Sequence, residues 1–140
     1  MVKVGTWNVE NLSRPGSEAG PKSEQAYEAK LTALVRTITT LAPDVLAVQD
    51  VDEPEAFKDL IGRLGQGWRS ELADPDGRGI RVGFLSQLPL DRVDQVREFL
   101  PQLRPIQVDD TDTTINQMGR PHCTSSSRRP GERWIWSPAI

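Results

Sequence analysis

A short apolar run closing on polar residues occurs twice near the start of this chain, once on either side of a single amphipathic helix. The first run is Lys3-Val4-Gly5-Thr6-Trp7-Asn8-Val9 and the second is Asp44-Val45-Leu46-Ala47-Val48-Gln49-Asp50-Val51. Between them, from about Ser23 to Leu41, the residues Tyr27, Leu31, Leu34, Val35, Ile38 and Leu41 recur at three- and four-residue spacing, and Pro43 stops the pattern. A right-handed crossover makes the two strands parallel and brings their carboxyl ends to one edge of a sheet, where open α/β sheets bind ligands. Asn8 and Asp50 then sit close together. An amide oxygen beside a carboxylate suits a hard divalent cation such as magnesium, with water and substrate phosphate completing the octahedron.

The rest of the chain adds to that unit. Asn11 to Lys22 contains Pro15, Gly16, Gly20 and Pro21 and reads as a polar, flexible loop that suits a lid. Asp52-Glu53-Pro54-Glu55 starts a second helix, with acids in the first turn and a proline where its missing N–H costs nothing. Ala56, Phe57, Leu60, Ile61 and Leu64 give it one apolar face, and Gly65 ends it. Trp68 to Leu72 and Ile80 to Ser86 flank the turn residues Asp74-Pro75-Asp76-Gly77, which predicts an antiparallel hairpin. Asp91 to Leu103 fits a helix or a strand, and Pro105 to Val108 one more extended piece. From residue 118 onward the Ser/Arg/Pro-rich composition predicts a disordered tail, so the domain reading is 1–117 followed by an atypical 118–140.

With 140 residues and 36% hydrophobic content the chain is long enough for one domain with a core. A net charge of -3 argues against binding nucleic acid by broad phosphate neutralisation, although a metal ion can do what missing lysines do not. The single cysteine, Cys123, excludes an internal disulfide and a thiolate zinc site. With no membrane span or apolar leader, the expected location is cytoplasmic.

Three segments in order, Gly5-Thr6-Trp7-Asn8-Val9-Glu10-Asn11-Leu12, Leu46-Ala47-Val48-Gln49-Asp50-Val51 and Arg81-Val82-Gly83-Phe84-Leu85-Ser86 followed by Leu88-Pro89-Leu90, resemble the endonuclease/exonuclease/phosphatase superfamily, the deoxyribonuclease I-like fold. The resemblance covers roughly the first 110 residues, part of a larger domain. It implies an α+β fold, part of a four-layer αββα sandwich: one sheet with two covering helices and a hairpin. It also implies phosphoester hydrolysis with Mg2+ or Mn2+ in a cleft where two sheets meet, on a phosphoester substrate, with nucleic acid among the candidates. By that resemblance Asn8 matches an asparagine that orients the metal or phosphate, Gln49 the residue before the metal ligand, and Asp50 an acidic ligand that is usually glutamate. Arg81, on a strand bordering the cleft, is a phosphate-binding candidate.

The departures are informative. Aspartate at 50 is one methylene shorter than glutamate and withdraws its oxygens by about 1.5 Å, so the metal shifts, a water bridges, or the more tolerant manganese or calcium is favoured. The family also uses an asparagine-x-histidine strand, an aspartate-x-asparagine pair and a closing aspartate-histidine pair. After Asp50 the only asparagine is Asn116 and the only histidine is His122, in the wrong settings. Nothing then activates the attacking water, and the chain is expected to be inactive alone, a truncated or frame-shifted product diverging near Met118-Gly119-Arg120.

Plainer readings stand beside these. Asn8 can be a turn former and Asp50 a helix-entry acid. Trp7 and Trp68 read as core rather than base-stacking platforms, Asp109, Asp110 and Asp112 as a solvated loop, His122 and Cys123 as incidental, and Arg128 and Arg129 as a solvated pair. The competing function class is a non-catalytic fragment or interaction module. Its sheet then leaves alternate residues of Val45 to Val51 and Ile80 to Ser86 uncovered, prone to self-association or in need of a partner.

Overall fold

Ser23 accepts a hydrogen bond from Ala26 N at 3.2 Å, and the first helix, α1(Glu24–Leu41), begins there. Tyr27, Leu31, Leu34 and Ile38, the stripe read from the sequence, are its buried residues, and Ala42 closes it in a left-handed conformation. In full the order is β1(Val4–Leu12), α1, β2(Val45–Val51), α2(Pro54–Leu64), β3(Arg69–Leu72), β4(Arg81–Ser86), β5(Arg92–Glu98), β6(Ile106–Gln107), β7(Thr114–Ile115), β8(Gln117–Arg129) and β9(Glu132–Trp136), with a 3-10 turn at Pro101–Leu103. The structure is a computed structural model that describes residues 1–90, 92–129 and 132–136, with side chains described for 1–90 and 94–118.

The main sheet is mixed, in the order β1-β2-β4-β3. β1 and β2 pair in parallel, as the crossover requires, while β4 runs antiparallel to both β2 and β3. The β3–β4 connection is the expected turn, in which Asp76 Oδ1 accepts from the backbone of Arg78 and Ile80. β3 comes so close to Gly83 that a Cβ there would stand 2.3 Å from the Glu71 carbonyl oxygen.

Both helices lie on one face of this sheet. Leu31, Leu34 and Ile38 of α1 and Ala56, Phe57 and Leu60 of α2 form one core with Val9, Leu12, Leu46, Val48, Val51 and Leu85. Trp7 and Trp68 pack against it, in line with the core reading of both. On the opposite face Val45, Ala47, Ala73, Val82 and Phe84 form a second buried cluster. The sequence reading left that face open to solvent or to a second copy. The structure corrects this: Val45 and Phe84 are 0% exposed, and the backbone of β8 comes close against β4.

Downstream, the helix-or-strand ambiguity resolves as strand β5, which pairs with β8, and β8 pairs with β9. Within the stretch expected to be an irregular tail, the described backbone of β8 and β9 runs as an antiparallel pair. A ladder is a main-chain device, so a Ser/Thr-rich segment joins one without an apolar period. β6 and β7 form a small separate hairpin around a loop in which Asp109 Oδ1 accepts from Thr111 and Thr113, consistent with a solvated acidic loop. The side chains of His122, Cys123, Arg128 and Arg129 lie outside the described ones.

Candidate functional site

β1 and β2 deliver their polar ends to one point: Asn8 Nδ2 donates to Asp50 Oδ2 at 2.7 Å. Asn8 is exposed and Asp50 half-buried, so the pair is reachable from solvent. The amide is turned differently from the sequence expectation of two oxygens side by side. Its nitrogen faces the carboxylate, and its oxygen accepts from the Glu10 N–H at 2.8 Å. Reversing it would set oxygen against oxygen and N–H against N–H. Asp50 therefore presents the oxygens, and Asn8 orients them. Next to the pair, Gln49 Nε2 donates to Thr6 Oγ1 at 2.7 Å.

Asp50 is placed by irregularities in both ladders it joins. Against β1, Val9, Glu10 and Asn11 stand opposite Asp50 alone, between the pairs Asn8↔Gln49 and Leu12↔Val51. Against β4, Gln49 and Asp50 stand opposite Val82 alone, between Val48↔Gly83 and Val51↔Arg81. Extra residues bend a strand and re-aim its side chains. They also switch alternation: Trp7 and Val9 share the helix-side core with Leu12, and Leu46 and Val48 share it with Val51, which strict alternation forbids. Glu10 (φ 53), Asn11 (φ 50) and Asp50 (φ 61) all adopt the left-handed conformation that residues with a Cβ avoid.

Arg81 lies beside the same strand end, paired across the sheet with Val51. Its Nη1 donates to the carbonyls of Asp52 at 2.7 Å and Gly79 at 3.0 Å, so it ties the exit of β2 to the β3–β4 turn. The sequence identified it as a phosphate candidate and did not foresee this backbone role. Lys30 was not singled out at all. From α1 its Nζ donates to the carbonyls of Glu10 and Asn11, the second at 3.2 Å. The available signal was a lysine between Tyr27 and Leu31, at the border of the buried stripe.

The loop after β1 is less free than a lid requires. Ser13 is buried, Arg14 N donates to Glu53 Oε2 at 2.9 Å, and the Arg14 guanidinium grips Asp59 through two bonds of 2.8 Å. Tyr27 also donates to Asp59, at 2.8 Å. The guanidinium holds the Asp59 carboxyl below its ordinary range, while burial, followed by Asp59, pushes the Tyr27 phenol up to about 12. These groups, with Glu24, Glu28 and Arg63, line a cavity of ≈ 410 Å³ between α1 and α2. Arg14 pairs with Asp59 there and Arg63 with Glu28, so the cluster fastens loop to helix and helix to helix. It lies on the helix side of the sheet, whereas Asn8 projects from the other face of β1.

Among the described residues no three His, Cys, Asp or Glu side chains converge as a ready-made metal cage. A magnesium-type site does not need one, because that ion keeps several waters and takes one or two carboxylates plus phosphate oxygens. The accessible, oriented Asp50 carboxylate fits this requirement.

A mixed sheet thus carries two helices on one face and a carboxylate–amide pair at its parallel strand ends. The sequence pattern of the endonuclease/exonuclease/phosphatase family matches residues 5–138, and this chain belongs to that family. Among solved structures, a family member from Leptotrichia buccalis aligns over 100% of this chain and 53% of its own, with TM-score 0.62 and 16% identity. The human Nocturnin catalytic domain, solved with a bound sulfate anion, aligns over 96% of this chain and 48% of its own, with TM-score 0.60 and 16% identity. TDP2 from C. elegans aligns over 97% of this chain and 34% of its own, with TM-score 0.62 and 14% identity. At these identities the likeness is one of fold, and the chain spans about half or less of each relative. No curated protein matches by sequence. Among the described residues, no helix is long and apolar enough to cross a membrane.

Proposed function

We propose that this chain carries the cation-holding part of a metal-dependent phosphoester hydrolase, within a four-layer αββα sandwich. The observation that carries this reading is the 2.7 Å bond between Asn8 and Asp50 at the ends of two parallel strands. Asp50 would hold Mg2+ or Mn2+, which supplies charge stabilisation to a phosphoryl oxygen. Asn8 keeps the carboxylate aimed, and the guanidinium of Arg81, anchored through Nη1, has further N–H donors for a substrate phosphate. A sulfate anion in a related fold is consistent with such a substrate. Whether the phosphate sits on nucleic acid or on a smaller molecule is decided by loops other than these.

No histidine of the family motifs lies in these 140 residues, so water activation has no evident agent and the chain alone turns over phosphoesters poorly. Manganese binding followed by electron paramagnetic resonance tests the reading. Asp50→Asn should weaken it by more than about 10-fold, the lower end of what losing even a supporting partner costs. Equal binding by the wild type and Asp50→Asn would remove the basis for the site. A metal-stimulated rate on a generic phosphodiester, abolished by Asp50→Ala, would overturn the inactivity.

A second reading, of a non-catalytic interaction module, draws on Leu100, Leu103 and Val108, which are 61%, 58% and 50% exposed. Open apolar side chains favour a covering partner where they join into one contiguous patch. Size-exclusion chromatography with a hydrophobic dye separates the cases: a dye-negative monomer removes this second reading.

A further inference from the structure

Three hydrogen-bonding steps run in series from α1 to Asp50. Lys30 Nζ donates to the carbonyls of Glu10 and Asn11, the Glu10 N–H donates to Asn8 Oδ1, and Asn8 Nδ2 donates to Asp50 Oδ2. Each step fixes the group that the next one uses. The weak point is the middle. Glu10 and Asn11 are both left-handed, a conformation that residues with a Cβ avoid, Glu more than Asn, so the strand by itself does not favour Glu10 there.

A left-handed pair turns two consecutive carbonyls out of the ladder, and a single ammonium reaching both restores partners to them. Lys30 does this from a rigid helix that is anchored in the core at Tyr27, Leu31 and Leu34. It is half-buried, and burial lowers its pKa against the opposing pull of Glu10 and Asp52. A lysine with only a solubilising task keeps its head in water. This one gives up hydration for the two carbonyls.

We propose that Lys30 is a positioning residue for the Asp50 site, acting through the Glu10–Asn11 backbone and the Asn8 side chain. What Asp50 does with its orientation rests on the phosphoesterase reading; the hydrogen-bond series does not.

The test uses the whole chain carrying Lys30→Met, Lys30→Gln, Lys30→Arg or Asp50→Asn, with two readouts. One is the Asn8 side-chain NH2 pair in amide-correlated NMR spectra without metal; the other is the Mn2+ Kd. Methionine removes the donor and glutamine cannot reach both carbonyls, so a folding defect in one leaves the other to decide. Either should move the Asn8 pair and raise the Mn2+ Kd by about 10-fold, the low end for loss of a supporting partner, while Lys30→Arg retains most of the affinity. A purely structural lysine gives a different pattern: a lower urea midpoint with the Asn8 pair and the Kd unmoved. That pattern overturns the proposal, and so does a shifted Asn8 pair with unchanged Kd in a protein whose binding Asp50→Asn abolishes. If the wild type and Asp50→Asn bind Mn2+ equally, the site reading fails, and the Asn8 pair alone decides: movement in Lys30→Met or Lys30→Gln supports the series, stillness overturns it.

Discussion

The four-stranded sheet and the strands that follow it are built on different terms. In the first, both faces of β2 and β4 are covered, and Leu31, Ile38, Val45, Val48, Phe84 and Leu85 are all 0% exposed. In the second, β5 is paired by its backbone while Val96 stays 40% exposed and Leu103 58% exposed. Pairing satisfies the peptide groups in both regions, and among the described residues the first also removes most of its apolar side chains from water. Hydrogen bonding alone defines a shape, and burial makes it hard to undo.

The largest effect should come from truncating both regions alike. Phe84→Ala is expected to cost about 3–5 kcal/mol in urea unfolding and Leu103→Ala under about 0.5 kcal/mol. Similar losses at both positions would erase the contrast. Gly83→Ala sharpens it by overfilling the first region: a methyl driven against the Glu71 carbonyl should cost about 1–3 kcal/mol, because β3 must move away.

The smallest effect concerns the charged fastening on the helix side. Asp59 has its pKa lowered in the folded state, chiefly by Arg14, from an ordinary 3.8. Its contribution is therefore complete above that value and drains away as pH falls through the lowered one. The pair is well exposed, so Asp59→Asn should shift the midpoint little at neutral pH and flatten the acid limb of a stability-against-pH curve. An unchanged acid limb would show that the loop is held by Ser13 and the Arg14 backbone instead.

What could be read from the sequence follows the same division. α1, β2 and the β3–β4 hairpin announced themselves because periodicity, Pro43 and the Asp74–Gly77 turn all agree with their burial. The meeting of Asn8 with Asp50 followed from the crossover alone. The bulges did not, since nothing about Glu10, Asn11 or Asp50 as residue types demands a left-handed backbone. At Glu10 and Asn11 the carbonyls are met by Lys30, on another element. β5 was ambiguous because Val93, Val96, Phe99, Leu100 and Leu103 fit a helical face as well as a strand, and main-chain pairing with β8 decided the matter. Arg81 stands on β4, within the expected strand, but its bonds to the Asp52 and Gly79 carbonyls depend on a turn whose path is invisible in the chain.

The surplus residues at the ends of β1 and β2 carry one more implication. Because they reset which side chains point inward, removing a single residue between Asn8 and Leu12, or between Val48 and Val51, would push Leu12 or Val51 out of the interior along with everything keyed to it. Individual positions such as Glu10 are exposed and open to replacement. The count of residues there is not, so at exposed positions such as Glu10 this segment tolerates spelling changes while it punishes any change of length.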